Sequence, residues 1–165
     1  PTRPELTFGF NYGIRYKGFD LTMNWAGAAN RSVLLKEQYR QPFGATASRA
    51  LPMYMAQERW TPSRADVATM PRFSQNSKAH NYKDSSLWVR DASYVRLKTV
   101  KIGYTFQGRG FLRSLGISSL NVYMSAYNLL TFDTLDYIDP EQKPNSQEID
   151  YPITQTYNLG LTVNF

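Results

Sequence analysis

The chain has 165 residues, of which 15% are aromatic and 19% are charged, a composition typical of one folded domain rather than a disordered segment. It contains no Cys, which excludes a disulfide framework and Cys-based metal or redox sites. The longest apolar run covers only residues 25–29, whereas a membrane-spanning helix needs about 20 residues, and the net charge of +6 is scattered along the chain and indicates no particular partner.

Two strands joined by a tight turn are predicted at the start of the chain. From Leu6 to Tyr16 every even position is apolar and every odd position is polar or Gly. The alternation restarts at Phe19, and the two intervening residues predict a β-hairpin. Pairing Tyr16 with Phe19 places the apolar side chains of both strands on one face, among them Phe10, Tyr12, Met23 and Trp25.

Three more segments alternate in the same way further along the chain. The predicted strands cover residues 5–16, 19–29, 87–106, 118–132 and 153–165, and none of them contains a proline. Within the third strand the apolar positions change from odd to even between Leu97 and Val100. This change predicts either a β-bulge or a departure of the upper strand from the apolar layer.

The connections between the predicted strands alternate between short and long. Outer-membrane β-barrels have short periplasmic turns, long extracellular loops and aromatic girdles at both membrane interfaces. Residues 31–86 and 133–152 are therefore expected to be extracellular loops. Aromatic residues cluster near both ends of the apolar faces, one group being Tyr16, Phe19, Tyr104, Phe106 and Phe165 and the other Phe8, Phe10, Trp25 and Phe132.

A soluble β-sandwich would show the same alternation, so a soluble carbohydrate-binding β-sandwich module is the alternative reading. The long Pro-rich excursion and the terminal Phe165 favour the barrel. Five strands cannot close a membrane barrel, because the smallest have about 8. The chain is therefore expected to be the C-terminal part of a longer all-β protein.

Several short motifs occur in an order and spacing that together are specific. They are Glu58-Arg59-Trp60-Thr61-Pro62, Pro71-Arg72, Ser93-Tyr94-Val95-Arg96-Leu97-Lys98, Ile102-Gly103-Tyr104-Thr105-Phe106, Asn128-Leu129-Leu130-Thr131-Phe132, Asp139-Pro140-Glu141 and Tyr157-Asn158-Leu159-Gly160-Leu161. With these motifs the chain resembles the C-terminal end of the SusC/RagA-type TonB-dependent outer-membrane transporters of Bacteroidota. One departure is Gln107-Gly108-Arg109-Gly110, where the family usually has a Pro in the turn.

The resemblance implies antiparallel strands of a transmembrane barrel of about 22 strands, with a plug domain outside this chain. It implies an importer of glycans or peptides in the outer membrane of a Gram-negative bacterium, and not an enzyme. The implied partners are a SusD-like lipoprotein lid, the TonB complex, outer-membrane lipid and lipopolysaccharide, and the outer-membrane assembly machinery. A dimer of transporter–lipoprotein pairs is also compatible, and no cofactor or nucleic acid is implied.

The alternation assigns side chains to the two sides of the expected barrel wall. The residues expected to face the membrane are Phe10, Tyr12, Met23, Trp25, Ile102, Tyr104, Leu159 and Leu161. The opposite face is expected to line the lumen or to hold the plug, with Asn11, Arg15, Asp20, Asn24, Asn121, Tyr123, Asn158 and Asn164 as examples. Phe165, at the end of the last strand, is expected to be an assembly signal.

Candidates for ligand binding lie in the loops. Aromatic side chains stack on the apolar faces of sugar rings, which makes Tyr54, Trp60 and Trp88 the candidate contacts, although packing of the loop on itself is the common alternative. The loops also contain a mixture of basic and aromatic residues, namely Arg59, Trp60, Arg64, Arg72, Trp88 and Arg90. Such residues can contact nucleic acid, but in a barrel they equally suit contacts to lipopolysaccharide, the lid or substrate.

No catalytic or metal site is predicted. Asp133, Asp136, Asp139 and Glu141 crowd one loop, but their spacing is not that of an EF-hand and a solvated turn is the expectation. His80 is the only imidazole, which leaves no partner for a zinc site or a hydrolase triad. Gly108-Arg109-Gly110 lacks the strand and helix that a phosphate loop requires.

Overall fold

The computed structural model describes residues 3–43, 51, 53–74, 80–135, 138–142 and 153–165. Its main feature is one antiparallel sheet of five strands in the order β1-β2-β5-β6-β7. The strands are β1 (Leu6–Tyr16), β2 (Phe19–Ala29), β5 (Tyr94–Gln107), β6 (Ser119–Asp133) and β7 (Thr156–Asn164). Two short strands, β3 (Ser32–Leu34) and β4 (Val89–Asp91), pair with each other in a separate sheet.

The first hairpin has the predicted register. Tyr16 lies opposite Phe19 and Phe10 lies opposite Trp25. The turn residues Lys17 and Gly18 both have positive φ, at 47° and 92°. Positive φ at both central residues is the signature of a type I′ turn, whose twist matches that of the flanking strands. The sequence prediction of this hairpin is confirmed.

A bulge at Lys98 explains the change of phase in the third long strand. Asn24 lies opposite Thr99 while the next residue, Trp25, lies opposite Leu97, so Lys98 is the extra residue on β5. The predicted bulge is confirmed. The start of the strand differs from the expected residue 87, because residues 86–88 form a 3-10 turn and the chain next pairs with β3 before β5 begins at Tyr94.

The helices of the described residues are all short. They are α1 (Glu37–Arg40), α2 (Met53–Glu58) and α3 (Phe111–Ser114), together with 3-10 turns at Pro62–Arg64, His80–Tyr82 and Ser86–Trp88. None of these helices combines the length and the apolar character needed to cross a membrane. We call the end of the sheet that carries the Lys17-Gly18 turn the short-turn end, and the opposite end the long-loop end.

Most of the buried apolar side chains of the described residues lie outside the main sheet. We call the described residues between 31 and 92 the loop unit. Its buried side chains include Val33, Leu35, Met55, Met70, Tyr82, Trp88 and Ala92. The expected long loop is thus a packed substructure with β3 and β4 in it, which the alternation of apolar residues did not indicate.

No second sheet covers the main sheet within the described residues. Apolar side chains on its strands remain open to solvent, for example Phe10 at 51% and Leu159 at 80%. A β-sandwich buries that face under a partner sheet. The described residues therefore do not form a β-sandwich.

Candidate functional site

One face of the main sheet, which we call the apolar face, carries all the side chains expected to face the membrane. Across the strands, Leu21 lies opposite Ile102, which lies opposite Met124 and then Leu159. The next row joins Phe19, Tyr104, Val122 and Leu161. Together with the Phe10–Trp25 and Tyr12–Met23 pairs, these rows form one continuous apolar surface over five strands.

Aromatic rings gather at two levels of the apolar face. Towards the short-turn end, Tyr104 packs edge-on against Phe19 and Phe106, with ring centroids 4.6 and 4.7 Å apart. Towards the long-loop end, Trp25 stacks with Phe10 at 5.8 Å and with Phe132 at 6.4 Å. Phe165 follows the last paired residue of β7 and is 87% exposed. Two aromatic bands at these levels are the arrangement that barrel girdles require.

The opposite face, which we call the polar face, carries a hydrogen-bonded network. Asn121 Nδ2 donates to Thr105 Oγ1 at 2.8 Å and to Asp20 Oδ1 at 3.2 Å. The Nζ of Lys101 lies 3.9 Å from the ring centroid of Tyr123. A polar depression of about 510 Å³ lies here, lined by residues that include Arg15, Asp20, Lys101, Asn121 and Asn164. Polar side chains on the inner face are usual for a barrel wall.

Trp88, one of the three predicted ligand contacts, lies in the core of the loop unit. It is fully buried beside Leu35 and Tyr82, and its Nε1 donates to the Asn81 carbonyl at 2.9 Å. A side chain without exposed surface cannot stack on a ligand in this arrangement. For Trp88 the alternative explanation, packing of the loop on itself, describes the structure.

Trp60 and Tyr54 differ from Trp88 and from each other. Trp60 is 38% exposed and lines a pocket of about 410 Å³ with Arg59, Arg72 and Phe73. Tyr54 lies in α2 and is only partly exposed. The structure does not bring the three predicted ligand contacts to one site, because only Trp60 lines this pocket.

An ion cluster at the long-loop end joins residues 138–142, which we call the acidic segment, to β5. Arg96 Nη2 donates to Asp139 Oδ2 at 2.7 Å, and Arg96 Nη1 donates to Glu141 Oε2 at 2.6 Å. Lys98 Nζ reaches both oxygens of Glu141 at 2.6 and 2.7 Å. The hydroxyl of Tyr94 also donates to Glu141, at 2.6 Å. The bulge makes this possible, because it keeps Arg96 on the polar side of the strand.

The cluster is largely withdrawn from water. The side chain of Arg96 is 3% exposed and that of Asp139 is 9% exposed. Burial raises the pKa of Glu141, but the hydrogen bonds from Lys98 and Tyr94 and the charge of Arg96 outweigh it, so the pKa lies below its usual value. The prediction of a solvated acidic turn is wrong for Asp139, because its carboxylate pairs with the guanidinium group of Arg96 and is largely shielded from water.

Further contacts tie the acidic segment to the loop unit. Arg31 Nη2 donates to the carbonyl of Gln142 at 2.9 Å. Ile138 packs against the core formed by Leu35, Tyr82 and Trp88. The acidic segment and the described part of the loop unit are therefore in contact with each other, and the ion cluster joins the acidic segment to β5. The sequence pattern did not predict this cluster. Its one local indication is the pair of basic residues Arg96 and Lys98 at the change of phase in β5.

The described residues hold no group of three His, Cys, Asp or Glu side chains placed to bind a metal ion. His80 is exposed at the start of a 3-10 turn. Asp133 accepts a hydrogen bond from the backbone N–H of Leu135 at 2.7 Å, while Asp136 lies outside the described residues. The acidic residues near β6 that can be placed thus have partners within the chain.

The chain is similar to three TonB-dependent receptors over almost its whole length. No protein-family model matches the chain. TonB-dependent receptor P3 of Formosa agariphila is 31% identical over 98% of the chain, and TonB-dependent receptor P26 of the same organism is 28% identical over 98%. TonB-dependent receptor SusC of Bacteroides thetaiotaomicron is 20% identical over 98%. The chain belongs to the SusC/RagA-type TonB-dependent receptors. It spans 15 to 17% of the length of these relatives.

Parts of solved RagAB structures have the same fold as the chain. A structure of the RagAB peptide transporter superposes with a TM-score of 0.77 and 25% identity over 99% of the chain and 18% of its own length. A structure of the RagAB peptide importer in an open-open state gives a TM-score of 0.71 and 23% identity over 99% of the chain and 17% of its own length. The five-stranded sheet is thus part of the wall of a large outer-membrane receptor barrel, as the sequence predicted.

Proposed function

We propose that the chain forms part of the barrel wall and the extracellular surface of an outer-membrane importer for large nutrients. The observation that carries the proposal is the continuous apolar face, which no other part of the described chain covers. A lipid-facing wall needs such a surface, and a network like that of Asp20, Thr105 and Asn121 suits the opposite, inner face.

The likeness to TonB-dependent receptors supports the proposed partners and cargo. The importer works with a SusD-like lipoprotein as a lid and receives energy from the TonB complex through other parts of the receptor. One similar structure is that of a peptide importer, whereas the proposed cargo class here includes both glycans and peptides. Transport and not catalysis is the activity, and the loop unit lies outside the cell.

Cysteine labelling in intact cells tests the placement of the wall. Tyr12→Cys lies on the apolar face and Asn11→Cys is its neighbour on the polar face of the same strand. We expect a water-soluble thiol reagent to leave Tyr12→Cys unmodified, because lipid covers it, whereas a lipid-soluble reagent modifies it. Ready labelling of Tyr12→Cys by the water-soluble reagent alone, with Asn11→Cys protected, would reverse the assignment of the faces.

The end of β7 has a proposed role of its own. We propose that Phe165 is read by the outer-membrane assembly machinery. If it were only an interfacial anchor, Phe165→Ser would cost about 1 to 3 kcal/mol and leave insertion nearly unchanged. We expect instead a severe loss of folded receptor in the outer membrane and its accumulation in the periplasm.

A matched control is Phe111→Ser. Phe111 is 75% exposed in α3, at the same short-turn end of the sheet. Equal assembly yields for the Phe165→Ser and Phe111→Ser receptors would rule out the signal while leaving the strand assignment intact.

A further inference from the structure

Two of the short sequence motifs, residues 58–62 and 71–72, meet in the loop unit and build a pocket. The backbone N–H of Trp60 donates to the Met70 carbonyl at 2.9 Å, and the N–H of Met70 donates to the Glu58 carbonyl at 3.1 Å. These bonds bring residues 58–62 beside residues 70–72. The resulting pocket has a volume of about 410 Å³ and is lined by Phe43, Arg59, Trp60, Thr61, Pro62, Arg72 and Phe73. We call it the Trp60 pocket.

The framework of the Trp60 pocket is fixed from below. Met55 and Met70 are buried, at 0% and 3% exposure, and the N–H of Arg59 donates to the Met55 carbonyl at 3.1 Å. Thr69 Oγ1 donates to Glu58 Oε2 at 2.6 Å. The backbone that carries Arg59 and Trp60 is thus held in place on both sides. A preorganised frame reduces the entropy that ligand binding would otherwise cost.

Arg59 and Arg72 have no carboxylate partner among the described residues, in contrast to Arg40 and Arg96. Arg40 pairs with Asp84, and Arg96 pairs with Asp139 and Glu141. Arg59 and Arg72 are exposed, and within the described residues neither has a carboxylate within 4.0 Å. The nearby carboxylate of Glu58 accepts a bond from Thr69. Two arginine residues thus line one pocket without a carboxylate partner among the described residues.

We propose that the Trp60 pocket binds a carboxylate group that adjoins a ring or another apolar surface in the imported substrate. Guanidinium groups bind carboxylates through paired, charge-assisted hydrogen bonds, and an aromatic wall lowers the local polarity and strengthens them. The exposed indole of Trp60 offers a flat surface for the part of the ligand beside the carboxylate. Acidic sugars and acidic peptides share this chemistry. The inference rests on the proposed import function and names the substrate class.

The test measures binding to the purified intact receptor in detergent by calorimetry. Tetragalacturonate is compared with the neutral maltotetraose, and the tetrapeptide of four Glu with that of four Gln. We expect at least one carboxylated ligand to bind about tenfold more tightly than its neutral counterpart, since each charged hydrogen bond contributes appreciably. The tetragalacturonate arm identifies an acidic sugar as the source and the tetraglutamate arm an acidic peptide.

Variants assign the binding to the pocket. Arg59→Gln with Arg72→Gln should weaken binding of the carboxylated ligand about tenfold or more, and the Lys counterparts should restore only part of it because they lack the paired geometry. Arg64→Gln, an exposed arginine of the same loop unit that does not line the pocket, should bind as the unmodified receptor does. The amount of folded barrel on unheated gels shows that each variant is assembled.

Two results would overturn the inference. One is equal or absent binding of both carboxylated ligands and their neutral counterparts. The other is unchanged binding by the folded Arg59→Gln, Arg72→Gln receptor. Either result leaves the cysteine labelling of the apolar face untouched, so a failure of the pocket is distinguishable from a failure of the proposed import function.

Discussion

The main sheet and the loop unit of this chain are stabilised in opposite ways. The strands of the sheet are hydrogen-bonded to each other but leave apolar side chains such as Leu159 and Leu161 uncovered. The loop unit has little regular structure, yet it buries Trp88, Leu35 and Met55 almost completely. Regular secondary structure and a hydrophobic core therefore occur in different parts of the same chain.

The difference shows what each region depends on. The sheet depends on its surroundings, because its apolar face is compatible with lipid and its edge strands β1 and β7 need neighbouring strands. The loop unit depends on its own packing and on the ion cluster that fastens the acidic segment to β5. Changes in the loop unit should therefore act locally, while changes in the sheet should act on the assembly of the barrel.

The largest local effect is expected from Trp88→Ala. The substitution removes a fully buried indole and its hydrogen bond to Asn81, which should cost about 3 to 5 kcal/mol of local opening free energy. Hydrogen exchange of the intact receptor should show faster exchange across the loop unit and unchanged exchange in β5 and β6. Trp60→Ala, at an exposed position, is the control; equal effects of the two variants would contradict the assignment of Trp88 to the core.

The next effect concerns the anchor of the loop unit. Arg96→Met removes the arginine that pairs with both Asp139 and Glu141, and removing one member of a buried pair costs about 3 kcal/mol or more. We expect protease cleavage within the acidic segment in the variant receptor and not in the Arg64→Met receptor. Resistance equal to that of the unmodified receptor would show that the ion cluster does not hold the acidic segment.

A smaller effect is expected in the sheet, where it appears as a lower thermal stability of the barrel. A Cβ on Gly27 would clash with the Phe8 ring and would lie 2.6 Å from the Tyr94 carbonyl oxygen. Because the carbonyl belongs to the neighbouring strand, Gly27→Ala must shift backbone and should cost about 1 to 3 kcal/mol. Gly13→Ala is the control, since its nearest neighbour is at 3.9 Å. Thermal unfolding of the barrel on gels should separate the two variants; identical midpoints would refute the close approach of β2 and β5.

The smallest effect is a dependence on pH. The folded pKa of Glu141 lies below its ordinary value of 4.5, so its contribution is complete above that value and is lost as the pH falls through the folded pKa. Protease resistance of the acidic segment should fall at acidic pH, below about 4.5, and stay constant towards neutral pH. Glu141→Gln should be less resistant at neutral pH and show a weaker dependence on pH, and an unchanged acid response would assign it to another group.

The sequence predicted the sheet well because the information is local. The alternation from Leu6 to Trp25 determines both the faces and the register of the first hairpin, and the change of phase before Val100 indicated the bulge. The joint structure of the loops could not be predicted in this way. Arg96 and Glu141 are 45 residues apart, and nothing in the neighbourhood of either residue specifies the other.

The Trp60 pocket falls between these cases. The motif around Arg59 and Trp60 and the later Pro71-Arg72 are visible in the sequence, but their contact requires a reversal of the intervening chain and the backbone bonds through Met70. The same limit applies to Trp88, which the sequence makes a candidate ligand contact, because residue type alone does not distinguish a core tryptophan from an exposed one.

The single extra residue at Lys98 also constrains how receptors of this kind can be recombined. If Lys98 were deleted, the two-residue period of β5 would run on without interruption, and Arg96 would turn to the lipid side while Val95 and Leu97 turned inward. A hybrid receptor joined within β5 must therefore inherit the bulge together with the strand above it. If the two parent receptors differ by one residue at this point, the hybrid would place the arginine of the loop anchor on the lipid side and the apolar wall residues inside. This would happen even where the parent sequences align closely on both sides of the junction.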